Sequence, residues 1–196
     1  MSLPNLTDPS PSIAFLRQEQ QRLHDQADKL LEQTGLLNTL SAHGVLDRIG
    51  GSYAYGLMVW PDLDLGLVND NTSTDDFAAM VAELVKNPYV RKVSTANTVD
   101  FQAVRANLKG YWLGLELPFE NERWSIDCWL QKKDWLPKEK DPYLGILSHL
   151  NDEQRDAILH IKYQLIFRKL YGKEYYSVDI YDAVAKENVL TIDDFL

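Results

Sequence analysis

The densest chemical signal in the chain is residues 50–65, GGSYAYGLMVWPDLDL. It opens on a Gly-Gly-Ser turn and closes on two aspartates, Asp62 and Asp64, one residue apart. On a strand, residues i and i+2 share a face. Asp62 and Asp64 therefore stand side by side, while Leu63 and Leu65 point the other way. Adjacent carboxylates repel and need compensation. A hard divalent cation such as Mg²⁺ supplies it, because it prefers carboxylate and water oxygens. Backbone N–H groups and the Ser52 hydroxyl in the Gly50-Gly51-Ser52 turn suit phosphate oxygens.

A third carboxylate lies further on. In WSIDCWL, Trp124, Ile126, Cys128 and Leu130 face one way, and Ser125, Asp127 and Trp129 the other. Asp127 is a lone charge in an apolar strand, where burial is costly unless the charge is paired or bound to metal. If this strand lies beside 63–68, Asp127 joins Asp62 and Asp64.

The elements that must position these groups follow from periodicity and punctuation. Residues 1–11 are a proline-bearing lead-in. A helix runs from Ser12 to Gly35, with Leu16, Leu23, Ala27 and Leu30 on one stripe. That stripe packs either on the core or in a homodimer seam. A short helix covers 36–42, strands cover 45–51 and 63–68, and a capped helix covers 74–86. Extended stretches are expected at 89–94, 99–108, 111–117 and 124–131, with a turn near Pro118 and Asn121. A charged loop covers 132–142. A helix from Asn151 to Gly172 and another over 177–188 follow. Residues 1–44 thus read as a lead-in with helices, 45–142 as an α/β core, and 143–196 as a helical segment compact with that core. The class is α+β, a mixed sheet with helices packed on it and helical additions at both ends.

Composition narrows the function. The 196 residues carry 20 Lys+Arg against 29 Asp+Glu, a net charge of −9. The deficit is spread along the chain with no basic cluster, which makes a polynucleotide partner unlikely on electrostatic grounds. No apolar run is long enough to span a membrane. The N-terminus has no signal-peptide core, so a soluble cytoplasmic protein is expected. The single Cys128 forms no internal disulfide and reads as a small buried apolar residue. The four histidines are dispersed. Tyr53, Tyr55 and Trp60 read as packing residues, Arg48, Arg105 and Lys109 as a solvated face, and Glu116 as an exposed acid on the side of Trp112.

Gly51-Ser52, Ala54, Gly56 and Asp62-Leu63-Asp64-Leu65 resemble the signature of the DNA polymerase β-type nucleotidyltransferase superfamily. The likeness covers roughly residues 45–130 and is nearest to its small bacterial members, the minimal and antibiotic-adenylating enzymes. Asp127 matches the third carboxylate. The resemblance implies a nucleotidyltransferase-like fold and transfer of a nucleoside monophosphate from an NTP, ATP being expected. The acceptor would be a hydroxyl on an unidentified small molecule, and pyrophosphate would be released. It implies two Mg²⁺ ions on Asp62, Asp64 and Asp127, and terminal phosphates on Gly51 and Ser52. Leu57 and Pro61 depart from the signature, where many members carry hydroxyl residues. A protein-nucleotidylating, antitoxin-like enzyme and a catalytically degraded NTP-binding module are the alternatives.

Overall fold

The computed structural model describes residues 6–99, 108–136 and 141–196. Residues 1–5 of the lead-in, the interior of the stretch expected at 99–108 with Arg105, and 137–140 of the charged loop lie outside the described residues. The chain divides into two compact units that interleave in sequence. One comprises 25–54 and 61–140, the other 1–24, 55–60 and 141–196.

The first unit is built on a five-stranded sheet. Its strands are β1 (Val45–Gly50), β2 (Asp62–Val68), β3 (Lys92–Asn97), β4 (Tyr111–Phe119) and β5 (Glu122–Gln131). Their order is β1-β2-β5-β4-β3. Only the β2–β5 pair is parallel; the other neighbours are antiparallel. The β4–β5 hairpin turns through Glu120 and Asn121, both at positive φ (45° and 69°). Two such residues give the reversed turn whose twist suits a hairpin, and asparagine tolerates it.

Strand alternation decides the faces. Leu63, Leu65, Leu67, Leu113, Leu115, Leu117, Trp124, Ile126, Cys128 and Leu130 are all buried. Phe77 of the helix α4 (Thr74–Lys86) stacks on Tyr111 at 4.9 Å, so that helix covers this apolar face. α4 starts where its sequence says it should. Ser73 caps it, and the Asp76 side chain returns to the Ser73 backbone. The opposite face of the sheet is more open: Asp64 is exposed and Trp112, Asp127 and Trp129 are half-buried.

The second unit is helical. It holds the first half of α1 (Ile13–Gln33), and α5 (Leu144–Leu147), α6 (Asp152–Phe167), α7 (Ser177–Glu187) and α8 (Ile192–Phe195). Its core gathers Leu16, Leu57, Trp60, Ile158, Ile161, Leu165, Ile180 and Val184. Asn151 and Gln154 form a capping box at the start of α6. α6 ends at Phe167, ahead of the glycine expected to stop it. Lys169 already takes a left-handed φ of 60°, and the Leu170 amide donates back to the Leu165 carbonyl. Arg17 binds Asp156 through two bonds of 2.7 Å.

Leu16, Leu23, Ala27 and Leu30 are all buried within the chain, so the N-terminal stripe takes the packed alternative and not the dimer seam. β3 begins at Lys92, later than the stretch expected from 89, because Asn87 to Val90 form a turn closed by the Val90 amide on the Asn87 carbonyl. The segment after β1 is a short helix, α3 (Gly51–Tyr55), where a turn is expected from the glycines. Among the described residues, no helix is long and apolar enough to cross a membrane.

Candidate functional site

The site is assembled on the sheet. Asp62 and Asp64 lie on β2, which pairs in parallel with β5, so Asp62 faces Ser125 and Asp64 faces Asp127. Register partners in a parallel pair project to one face. The three carboxylates therefore share the half-exposed face, Asp62 being two residues before Asp64. Asp62 is buried, Asp64 exposed and Asp127 intermediate.

Gly51 touches this group. Its φ is +61°, and a β-carbon there would fall 1.8 Å from Asp64 Oδ2. Glycine is needed twice over, for the left-handed backbone and for the carboxylate that occupies the space of a side chain. Ser52 follows it in α3 and is buried. Gly50 is the register partner of Asp64 on β1, so β1 delivers the glycine turn directly beside the carboxylates.

Asp127 has a neighbour that the motif does not contain, the indole of Trp112 on β4. The Trp112 ring lies across Gly114, where a β-carbon would sit 2.7 Å from its Cη2 and 3.6 Å from Asp127 Oδ1. Burial pushes the Asp127 carboxyl above its ordinary value, and the neighbouring Trp112 indole works against that rise. Cys128, next in the chain, faces the core. Burial first, and then the Asp127 charge, push its thiol up to about 12.

The donor set suits a hard cation in type, being all oxygen and drawn from adjacent register positions. As the side chains are placed, no group of three or more His, Cys, Asp or Glu among the described residues is gathered as a metal cage. Carboxylates left to repel one another have no reason to converge without a cation.

Tyr53 donates to Asp28 at 2.6 Å, and burial with that bond raises its hydroxyl to about 12. Trp60 packs on Tyr171 at 4.6 Å in the helical unit. Lys109 stands over the Trp135 ring at 5.1 Å. Glu116 is not the solvated acid expected from its sequence. Its side chain is 15% exposed and paired with both Lys92 and Arg123. Leu57 is fully buried, and its carbonyl accepts from Lys162, so that position is a core position of the helical unit. The Pro61 carbonyl accepts from the Ser125 amide at 3.0 Å, starting the β2–β5 pairing one residue early.

This sheet and its helices are those of a nucleotidyltransferase-like fold. The solved structures it resembles include a cytoplasmic RNA terminal U-transferase, with a TM-score of 0.53 and 14% identity over 88% of this chain and 50% of that one. They also include the non-canonical poly(A) polymerase complex GLD-2–GLD-3, with a TM-score of 0.56 and 14% identity over 90% and 60%. A third is the GLD-2/RNP-8 complex, with a TM-score of 0.51 and 15% identity over 92% and 65%. The chain thus spans between half and two thirds of the length of those chains. No family model and no curated protein matches it.

Proposed function

We propose that the chain transfers a nucleoside monophosphate from an NTP, ATP being the expected donor, to a hydroxyl of a small-molecule acceptor. The observation that carries the reading is the facing of Asp64 and Asp127 across β2 and β5, with Asp62 on the same face. In this reading Asp62, Asp64 and Asp127 hold two Mg²⁺ ions, and Gly51 and Ser52 bind the terminal phosphates. The ions, when bound, would neutralise charge on the attacking and leaving oxygens. Asp127 takes the proton of the acceptor hydroxyl. The acceptor oxygen bonds to the α-phosphorus, the bond to the bridging oxygen breaks, and pyrophosphate leaves. Most of the work is positioning and charge compensation, which carboxylates on a rigid sheet can supply.

The spread net charge of −9 supports a small acceptor over a polynucleotide. A second reading, in which the acceptor is an RNA end, is favoured by the RNA terminal U-transferase and poly(A) polymerase among the structural neighbours.

The test is calorimetric titration with each NTP in Mg²⁺, followed by pyrophosphate release with panels of small hydroxyl acceptors and short RNAs. Binding is expected for the wild type and is lost in Asp62→Asn and Asp64→Asn. A wild type that binds no NTP in Mg²⁺ overturns the reading. Release with RNA but with no small acceptor selects the second reading.

A further inference from the structure

The carboxylate face carries a second row of side chains that the metal and nucleotide groups leave unused. One step along the strands from Asp64 and Asp127, Arg48 of β1, Gly66 of β2 and Trp129 of β5 are register partners. Trp112 of β4 pairs with Trp129. Same-face residues two apart on a strand are separated by about 6.6 Å. This row therefore lies about one ring's width from the carboxylates.

Arg48 is laid flat on the sheet. A β-carbon at Gly66 would be 3.0 Å from Arg48 Cγ and 3.4 Å from its Cζ and Nε. Glycine inside a strand weakens it, and marks a close approach by another group. Here that group is the guanidinium. The register of β1 shifts between Leu46 and Arg48, the position of Asp47. The Asp47 carboxylate stands 3.9 Å from Arg48 Nη1. That is beyond hydrogen-bond reach. Nη1 is buried and makes no hydrogen bond among the described residues, while the side chain as a whole is 27% exposed. Nη1 itself is shielded from solvent, so an incoming anion meets the exposed remainder of the Arg48 side chain, and a guanidinium's planar fork matches phosphate and carboxylate. Beside it, the half-buried indole of Trp129 offers flat apolar surface.

We propose that this row is the acceptor subsite and takes an anionic acceptor, a phosphate- or carboxylate-bearing molecule with a flat ring. The anion binds Arg48 and the ring lies against Trp129. Its role as acceptor subsite rests on the nucleotidyl-transfer reading; the binding itself does not. The assignment runs against the cationic acceptor that an acidic surface alone would select, because Arg48, with Asp47 3.9 Å from its Nη1, places a cation on this face beside the carboxylates.

Phenyl phosphate, titrated calorimetrically into the full chain without nucleotide or Mg²⁺, tests it. Phenyl phosphate should bind at least about tenfold tighter than phenol or benzylammonium, a difference expected of a charge-assisted contact. Arg48→Ala should weaken it about tenfold or more, with Arg48→Lys recovering part of the loss. Trp129→Ala should weaken phenyl phosphate as well. Asp64→Asn should leave phenyl phosphate bound while removing Mg²⁺-dependent NTP binding, so this subsite and the transfer reading fail separately. The proposal is overturned by a wild type that does not bind phenyl phosphate, by unchanged affinity in Arg48→Ala, or by equal binding of benzylammonium. Arg48→Gln provides the same comparison if the alanine variant does not fold.

Discussion

Asp64 occupies the space that a side chain at Gly51 would need: a β-carbon there would fall 1.8 Å from its Oδ2 and 2.8 Å from its Cγ. The glycine turn and the carboxylate pair, separated in sequence by the segment around Leu57 and Pro61, are thereby one packed object. The glycine is as much a condition for the position of the carboxylate as for the turn.

Gly51→Ala and Gly35→Ala separate these two roles. Both glycines are left-handed, at φ +61° and +68°, but a β-carbon at Gly35 meets nothing within 4 Å. Each substitution should cost about 1–2 kcal/mol from backbone conformation alone. Asp64 can swing aside, so the additional effect of Gly51→Ala falls on binding. Thermal unfolding should report similar losses for the two variants, and only Gly51→Ala should lose Mg²⁺-dependent NTP binding. Retained binding in that variant would show that Asp64 is not held by this contact.

Lys162 is fully buried in the helical unit. Its Nζ donates to the Leu57 carbonyl at 2.9 Å and lies 4.7 Å from the Trp60 ring and 5.7 Å from that of Tyr181. Lys162→Ala opens a cavity and strands a buried carbonyl, at a cost of about 3–5 kcal/mol. Lys162→Met keeps the volume and should cost about 1–3 kcal/mol. Urea unfolding midpoints measure both. An alanine variant as stable as wild type would mean the carbonyl finds another donor.

Glu116 should make the acid limb of the stability curve steeper. The bonds from Lys92 and then Arg123 hold its carboxyl below the ordinary 4.5. A carboxyl lowered by folding stabilises the fold above its unfolded value, and that contribution is lost as pH falls through the folded value. Wild type should therefore exceed Glu116→Gln in melting temperature near pH 7, and the two should converge as pH falls below the ordinary carboxyl range and through the lowered folded value. A difference that does not change with pH would assign the effect to packing and not to charge.

How much of this was legible depended on distance along the chain. The alternation around Asp62, Asp64 and Asp127 places each carboxylate on one face from local pattern alone, and the Ser73 and Asn151 caps are equally local. What brings Asp127 opposite Asp64 is a parallel pairing across more than sixty residues, and no periodicity encodes that register. The approach of Trp112 to Asp127 is not local either, because the indole lies over Gly114, which pairs with Asp127 across two strands. Arg48 reads as a solvated cation for the same reason: nothing local shows that Gly66 opens a bed for it. Glu116 reads as solvated from its own strand because both of its cations come from neighbouring strands.

The interleaving of the two units bears on synthesis. Every residue of the sheet unit has been made once the ribosome passes Lys140, whereas the helical unit needs residues 141–196 before its earlier pieces, 1–24 and 55–60, have a partner. Leu57 and Trp60 belong to a core whose other walls, among them Ile158, Ile161 and Val184, are translated a hundred or so residues later. Growing chains must therefore keep an apolar loop waiting while the sheet closes, and no single cut in the gene can release the helical unit as one continuous fragment.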